Sequence, residues 1–170
     1  MKTALKYLTL GIVITVMGFL SLGLIHPSFT YSNTIRVDSS IEEAFTVFTD
    51  VYRAGDWLIG YKEYDILEGE RYKVGSNLSI KFKVEGNKME CVETLTAFKQ
   101  NEELSFDMAS EYVNHSVEVK FSGTFPCNIE ITTVTSGKNV FYCSIFYLMK
   151  NVLKDQSQKN YDLLKTIIEQ

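Results

Sequence analysis

The chain has 170 residues, a net charge of −4 and 45% hydrophobic residues, enough for one domain plus an appendage. Its charge is mixed and no basic tract occurs, which excludes an electrostatic nucleic-acid footprint, so no nucleic-acid partner is expected. Aromatics make up 13% of the chain and prolines number two, a composition that excludes a disordered polymer.

Lys2 and Lys6 precede an uncharged run from Tyr7 to Ile25. As a helix that run spans roughly 28 Å, about the hydrocarbon thickness of a bilayer. A cleavable signal peptide would have a shorter apolar region and a small-x-small site after it. Here the run ends in Ile25-His26-Pro27; Ser21-Leu22-Gly23 is the one arguable site, and no adjacent Cys follows to carry a lipid. Residues 1–27 are expected to form an uncleaved membrane anchor, with a signal sequence as the alternative, and residues 28–170 one domain. The membrane contact falls on residues 4–25. The two lysines place the amino terminus inside and the domain outside the cytoplasm; a cytoplasmic domain is the alternative.

Phe29 to Val37 alternates and is β-branched towards its end, the mark of a first strand. Ser39 and Ser40 lie three residues before Glu42 and Glu43, a capping box ahead of the periodic Ile41, Ala44, Phe45 and Phe48. A helix is predicted over Ile41–Thr49 and a second short one over Asp50–Trp57, stopping near Gly60. From Tyr61 to Ser136 the pattern is antiparallel sheet, with strands at Tyr61–Glu68, Ser76–Val84, Lys88–Phe98, Glu103–Met108, Tyr112–Ser122 and Cys127–Thr135. Polar or Gly-rich turns separate them, Glu85-Gly86-Asn87 among them.

Turn centres fix which residues share a face. A centre at Gly86-Asn87 pairs Phe82 with Cys91 and Ile80 with Glu93. One at Gln100-Asn101 pairs Leu95 with Phe106 and Glu93 with Met108. One at Ser110-Glu111 pairs Met108 with Val113 and Phe106 with His115. A three-residue turn around Thr124 pairs His115 with Thr133 and Val117 with Ile131. All four hairpins agree on one apolar face, opposite a solvated face carrying Lys81, Lys83, Glu90, Glu118 and Lys120.

Phe141 to Gln170 reads as one amphipathic helix of about eight turns, with Phe141, Ile145, Leu148, Met149, Val152, Leu163, Leu164, Ile167 and Ile168 on its buried stripe. Such a helix must bury its stripe, and the curved sheet is the partner available. Gln156 and Asn160 interrupt the stripe. A buried amide without partners costs about 1–3 kcal/mol, so the pair is either bonded into a packed core or faces a cavity. The inner face of the sheet adds Glu93, His115 and Thr133. Trp57 either plugs the end of the core or forms the rim of a cavity mouth with Tyr61. The expected lining of such a cavity is Trp57, Phe82, Met89, Glu93, Phe106, Met108, His115, Thr133, Met149, Gln156 and Asn160. Cys91, Cys127 and Cys143 are an odd number without disulfide or metal spacing, and only His26 and His115 accompany them. They are expected to be small core hydrophobes, and neither a metal nor a cofactor is expected.

This order of elements resembles the helix-grip fold of the START and polyketide-cyclase-like superfamily, SRPBCC. The stretch from Ile35 to Phe45 looks like the family's strand-to-helix entry, and Asp50 to Trp57 like its short segment ending in Trp. Leu95-Thr96-Ala97-Phe98 through Glu103-Leu104 is similar to its "V-T-x-F-x-P-P-x-x-L" stretch, and Leu163 to Glu169 to its ending. Gln100-Asn101 replace the common prolines, and Ser39 replaces another. The resemblance implies an α+β fold, a curved seven-stranded antiparallel sheet wrapped around a long terminal helix. It implies a deep cavity for a hydrophobic ligand, and carries over no catalytic signature. The expected function is a membrane-tethered binding module for a lipid or other hydrophobic small molecule. The alternatives are a cyclase-, dehydratase- or hydrolase-type enzyme with Glu93 and His115 as an acid–base pair, and a packed interaction domain without a ligand.

Overall fold

The computed structural model describes residues 2–84 and 86–170, apart from the side chains of Lys2 and Val84. Glu85, placed by the sequence in a turn, lies outside the described residues. Helix α1 (Lys2–Ile25) runs directly into strand β1 (Ser28–Val37). Next come helices α2 (Ile41–Thr49) and α3 (Ala54–Trp57). Six strands follow as a meander: β2 (Tyr61–Glu68), β3 (Asn77–Val84), β4 (Asn87–Lys99), β5 (Glu103–Ala109), β6 (Val113–Ser122) and β7 (Cys127–Gly137). Helices α4 (Val140–Leu148) and α5 (Lys150–Ile168) complete the chain. All strands form one antiparallel sheet in the order β1-β7-β6-β5-β4-β3-β2.

Half of the expected capping box forms, and the Glu43 carboxylate turns to the Ser39 hydroxyl instead of the Ser40 amide. The Glu43 amide donates to Ser40 Oγ at 3.2 Å, and Ser39 Oγ donates to the Glu43 carboxylate at 2.6 Å. That satisfies the first turn of α2 and sets its apolar face, Ala44, Phe45, Val47 and Phe48, against the sheet. Phe45 meets Phe98 and Phe121 edge-on, at 5.6 and 5.0 Å between centroids. With Val37, Val119, Ile129, Ile131, Leu164 and Ile168 these rings close one end of the sheet. The three cysteines are buried and unpaired.

Hairpin registers differ from expectation in an instructive way. The β4–β5 register matches, with Leu95 opposite Phe106 and Glu93 opposite Met108. Three others slip by two residues: Phe82 pairs with Met89, Met108 with His115, and His115 with Thr135. The turns are centred one residue later or earlier than their composition suggested. A slip of two preserves the alternation, so the same residues still face inward. A bulge in β4 between Leu95 and Ala97 then changes phase, so that Phe98 as well as Leu95 points into the core.

The single long helix is not found. It breaks at Met149, whose φ of −89° and ψ of 3° leave the helical region. The two halves of the expected stripe serve different neighbours: α4 packs mainly on α1 and β7, and α5 on β1 and α3. On α5 the inward line is Leu153, Ser157, Tyr161, Leu164 and Ile168, one residue away from the line drawn through Val152 and Leu163. Val152 is 56% and Leu163 44% exposed, whereas Leu164 is fully buried. A run of polar residues from Lys154 to Asn160 left the helix phase to be set by the ends, and the break at Met149 separates those ends. Asn33 anchors the correct phase. Its Nδ2 donates to Gln158 Oε1 at 2.8 Å and to the Lys154 carbonyl at 3.3 Å, tying β1 to α5.

Candidate functional site

Between α5 and the concave face of the sheet the molecule is open rather than filled, with a cavity of about 380 Å³. That is within the range of small-molecule sites, and it departs from the packed-domain alternative. Its walls are Leu78, Ile80, Leu95, Leu104 and Val117 from the sheet, Phe48 and Trp57 from α2 and α3, and Leu153 from α5.

Register builds the polar part of the wall. Glu93, Met108, His115 and Thr135 are successive partners across β4, β5, β6 and β7. The next inward row is Leu95, Phe106, Val117 and Thr133. The row after it, Phe98, Leu104, Val119 and Ile131, is apolar across β4 to β7 and ends on β1 at the buried Asn33. The inner face therefore runs from polar at the end nearest α1 and α4 to greasy at the end under α2.

Glu93 has no hydrogen-bonding or ionic partner among the described residues. Burial alone pushes its carboxyl up to about 7. The side chain keeps some accessible surface, and it borders the cavity. His115 is held below the usual imidazole range, again by burial. Its Nδ1 lies 2.9 Å from Thr135 Oγ1, and Glu93 contributes nothing to its titration. Two strand spacings, about 10 Å, separate Glu93 from His115 along their row. The expected acid–base pair is thus not a hydrogen-bonded pair: Met108 stands between them. The Cys91 thiol is pushed up to about 12, chiefly by burial and then by the charges of Glu93 and Glu90.

Of the other residues expected here, Trp57, Phe82, Met89, Phe106, Met108, Thr133, Gln156 and Asn160 border the cavity. Met149 does not; it sits at the helix break, 40% exposed. Gln156 is exposed overall and stands at the edge, not mid-stripe, because α5 is rotated from the expected phase. Asn160 is half-buried, and its Oδ1 accepts the Ile59 amide at 3.4 Å. Trp57 is both plug and wall: it is buried, packs on Phe48 and Tyr161, and borders the cavity. Tyr61 lines it too, donating its hydroxyl to the Val51 carbonyl at 3.0 Å.

Three groups escaped the sequence. Tyr161 and Tyr31 reach the cavity from α5 and β1, and burial raises the Tyr161 hydroxyl well above the phenolic range. Arg71 comes from the loop between β2 and β3. It donates to the Thr49 carbonyl at 3.1 Å and stacks on Tyr72 at 4.6 Å and Tyr52 at 5.5 Å. Tyr161 was discoverable, since it follows Asn160 and completes the 153-157-161-164-168 spacing; Arg71 left no periodic signal.

A meander sheet gripping one carboxyl-terminal helix over a cavity defines the helix-grip fold, the architecture shared by SRPBCC proteins. No family model matches the sequence and no curated protein resembles it in sequence. Solved structures match in fold. The Zhui aromatase/cyclase from a Streptomyces species is 12% identical with a TM-score of 0.69, over 84% of this chain and 94% of that one. Ara h 8.0201 is 12% identical with a TM-score of 0.66, over 83% of this chain and 97% of that one. The di-domain aromatase/cyclase BexL is 11% identical with a TM-score of 0.67, over 99% of this chain and 59% of that one.

Proposed function

We propose that the protein is a membrane-anchored binding module that holds a hydrophobic small molecule or lipid between the sheet and α5. The cavity of about 380 Å³, largely apolar-walled with polar groups such as Glu93, His115, Asn160 and Arg71 set into it, carries this reading. α1 supports the anchor: Thr3–Ile25 is long and apolar enough to cross a membrane, a property it shares with signal sequences, and its side chains from Thr3 to Gly18 are exposed. An uncleaved span with the domain outside the cytoplasm is the arrangement that Lys2 and Lys6 favour.

The test is native mass spectrometry of the detergent-extracted full chain for a co-purifying small molecule, with uptake of an environment-sensitive naphthylamine probe. A saturable probe signal that Met108→Trp weakens by narrowing the cavity is expected. No bound molecule, and identical probe signals in wild type and variant, would sink the proposal.

One observation favours a second reading, an acid–base enzyme. A carboxyl near 7 is half-protonated at neutral pH, the condition a general acid–base group needs. In that reading Glu93 acts on the ligand directly, and His115 contributes separately from the far side of Met108.

A further inference from the structure

We propose that α4 is an interfacial helix, immersed in the surface layer of the bilayer that α1 crosses, so that the domain is docked on the membrane and does not hang from it. This rests on reading α1 as a membrane span.

The composition of α4 is the first observation. Its sequence, VFYCSIFYL, has no charged residue. A helix on the surface of a soluble domain needs one charged or strongly polar face, whereas this one has none, its polar side-chain atoms being limited to one buried serine and two tyrosine hydroxyls. Its buried residues, Cys143 and Ser144, face inward. Outward it presents Phe141, 50% exposed, and Leu148, 61% exposed.

Its position is the second. Ser144 Oγ donates to the Phe19 carbonyl at 2.7 Å and accepts the Gly23 amide at 2.9 Å. Phe19 and Phe141 meet edge-on at 5.6 Å, and His26 stacks on Tyr147 at 4.0 Å. A Cβ on Gly23 would lie 2.1 Å from the Val140 carbonyl oxygen, so only glycine permits this approach. Small residues at close helix contacts are what association within lipid uses. α4 thus lies alongside the last two turns of α1. Phe19 is six residues before Ile25, about 9 Å down the helix axis. If Thr3–Ile25 fills the hydrocarbon layer, α4 is placed at about the 5–10 Å depth where interfacial helices sit.

Its flanks are the third. Tyr142 and Tyr147 supply the amphipathic rings that favour the headgroup level. Lys138 and Lys150 bracket the helix and are exposed, placed to reach lipid phosphates, and Lys150 Nζ lies 4.8 Å from the Tyr147 ring centre. Continuity with α1 selects the bilayer as the occupant of this face.

The test uses the full chain in phosphatidylcholine/phosphatidylglycerol vesicles, with an NBD label on Leu148→Cys, Phe141→Cys, Ile14→Cys or Lys99→Cys. The native cysteines are buried, so the introduced thiol takes the label. Lipids with a doxyl group high on the acyl chain should quench labels at positions 148 and 141 severalfold more than at 99, which lies at the opposite end of the sheet. Quenching at 14 alone, by deeper doxyl groups, would leave α1 spanning and overturn the docking of α4. No quenching at any position would refute both readings. Blue-shifted emission at 148 without lipid quenching would mean that a second copy covers α4, and would also overturn the proposal.

Discussion

Replacing Glu93 by Gln should make the protein more stable at pH 8 and leave it nearly unchanged at pH 4. The carboxyl titrates near 4.5 in the unfolded chain and near 7 when folded, because burial disfavours its charge. Below the unfolded value both states are protonated and no penalty exists. As pH rises towards 7 the unfolded chain ionises first, so stability falls at about 1.4 kcal/mol per pH unit. Above 7 both states are ionised and the penalty levels off at about 3 kcal/mol, less where water enters the cavity and solvates the carboxylate. The Gln side chain keeps the shape without the charge, so wild type and variant should diverge between pH 4.5 and 7 and then run parallel. Urea unfolding of both proteins in the same micelles, followed by circular dichroism from pH 4 to 8, measures the difference. A Gln variant less stable than wild type at pH 8 would mean that the carboxylate holds a bound cation or donor. Equal stability at every pH would mean that Glu93 is fully hydrated. Either result refutes the desolvated carboxyl.

Other expectations concern packing, capping and topology. Leu164→Ala should cost about 2–5 kcal/mol, as buried leucine truncations do, and Leu163→Ala less than about 1 kcal/mol; equal losses in a denaturant titration would contradict the helix phase described above. Ser40→Ala should cost about 1 kcal/mol through loss of the α2 cap, read as a lowered midpoint in the same titration. Protease added to intact spheroplasts should digest residues 28–170 if the domain is outside; full protection would reverse that orientation, and a mature start near residues 24–28 would remove the anchor.

The sheet was legible because alternation is redundant. Met89, Glu93, Phe106, Met108 and His115 were placed on the inner face although three hairpin registers were wrong, since an even slip leaves parity intact. The helix end was not legible for the opposite reason. A helical stripe has no parity to protect it, and a phase drawn from Val152 and Leu163 errs by one residue, or 100°, when a break intervenes at Met149. That error exposed Leu163, hid Tyr161 and moved Gln156 to the edge. The apolar content of Phe141–Met149 was visible, but its partner was not: α4 packs on α1, a segment that composition alone separates from the domain. Glu93 and His115 were rightly placed two strands apart, yet whether two polar side chains touch depends on what the intervening residue is, and Met108 is long.

The rows of the inner face have a directional consequence. Glu93, His115 and Thr135 lie in the row that ends at Phe29, four residues from the end of α1, while Phe98, Val119 and Ile131 lie under α2. A ligand in this cavity would therefore meet a carboxyl and an imidazole towards the α1 end of the strands and the Arg71 guanidinium towards the α2 end. Asn33, buried opposite Ile131 with its Oδ1 unpartnered, adds an acceptor beside the phenylalanine and isoleucine of that end. The cavity is in that sense polarised along the strands, with an acid towards one end and a base towards the other.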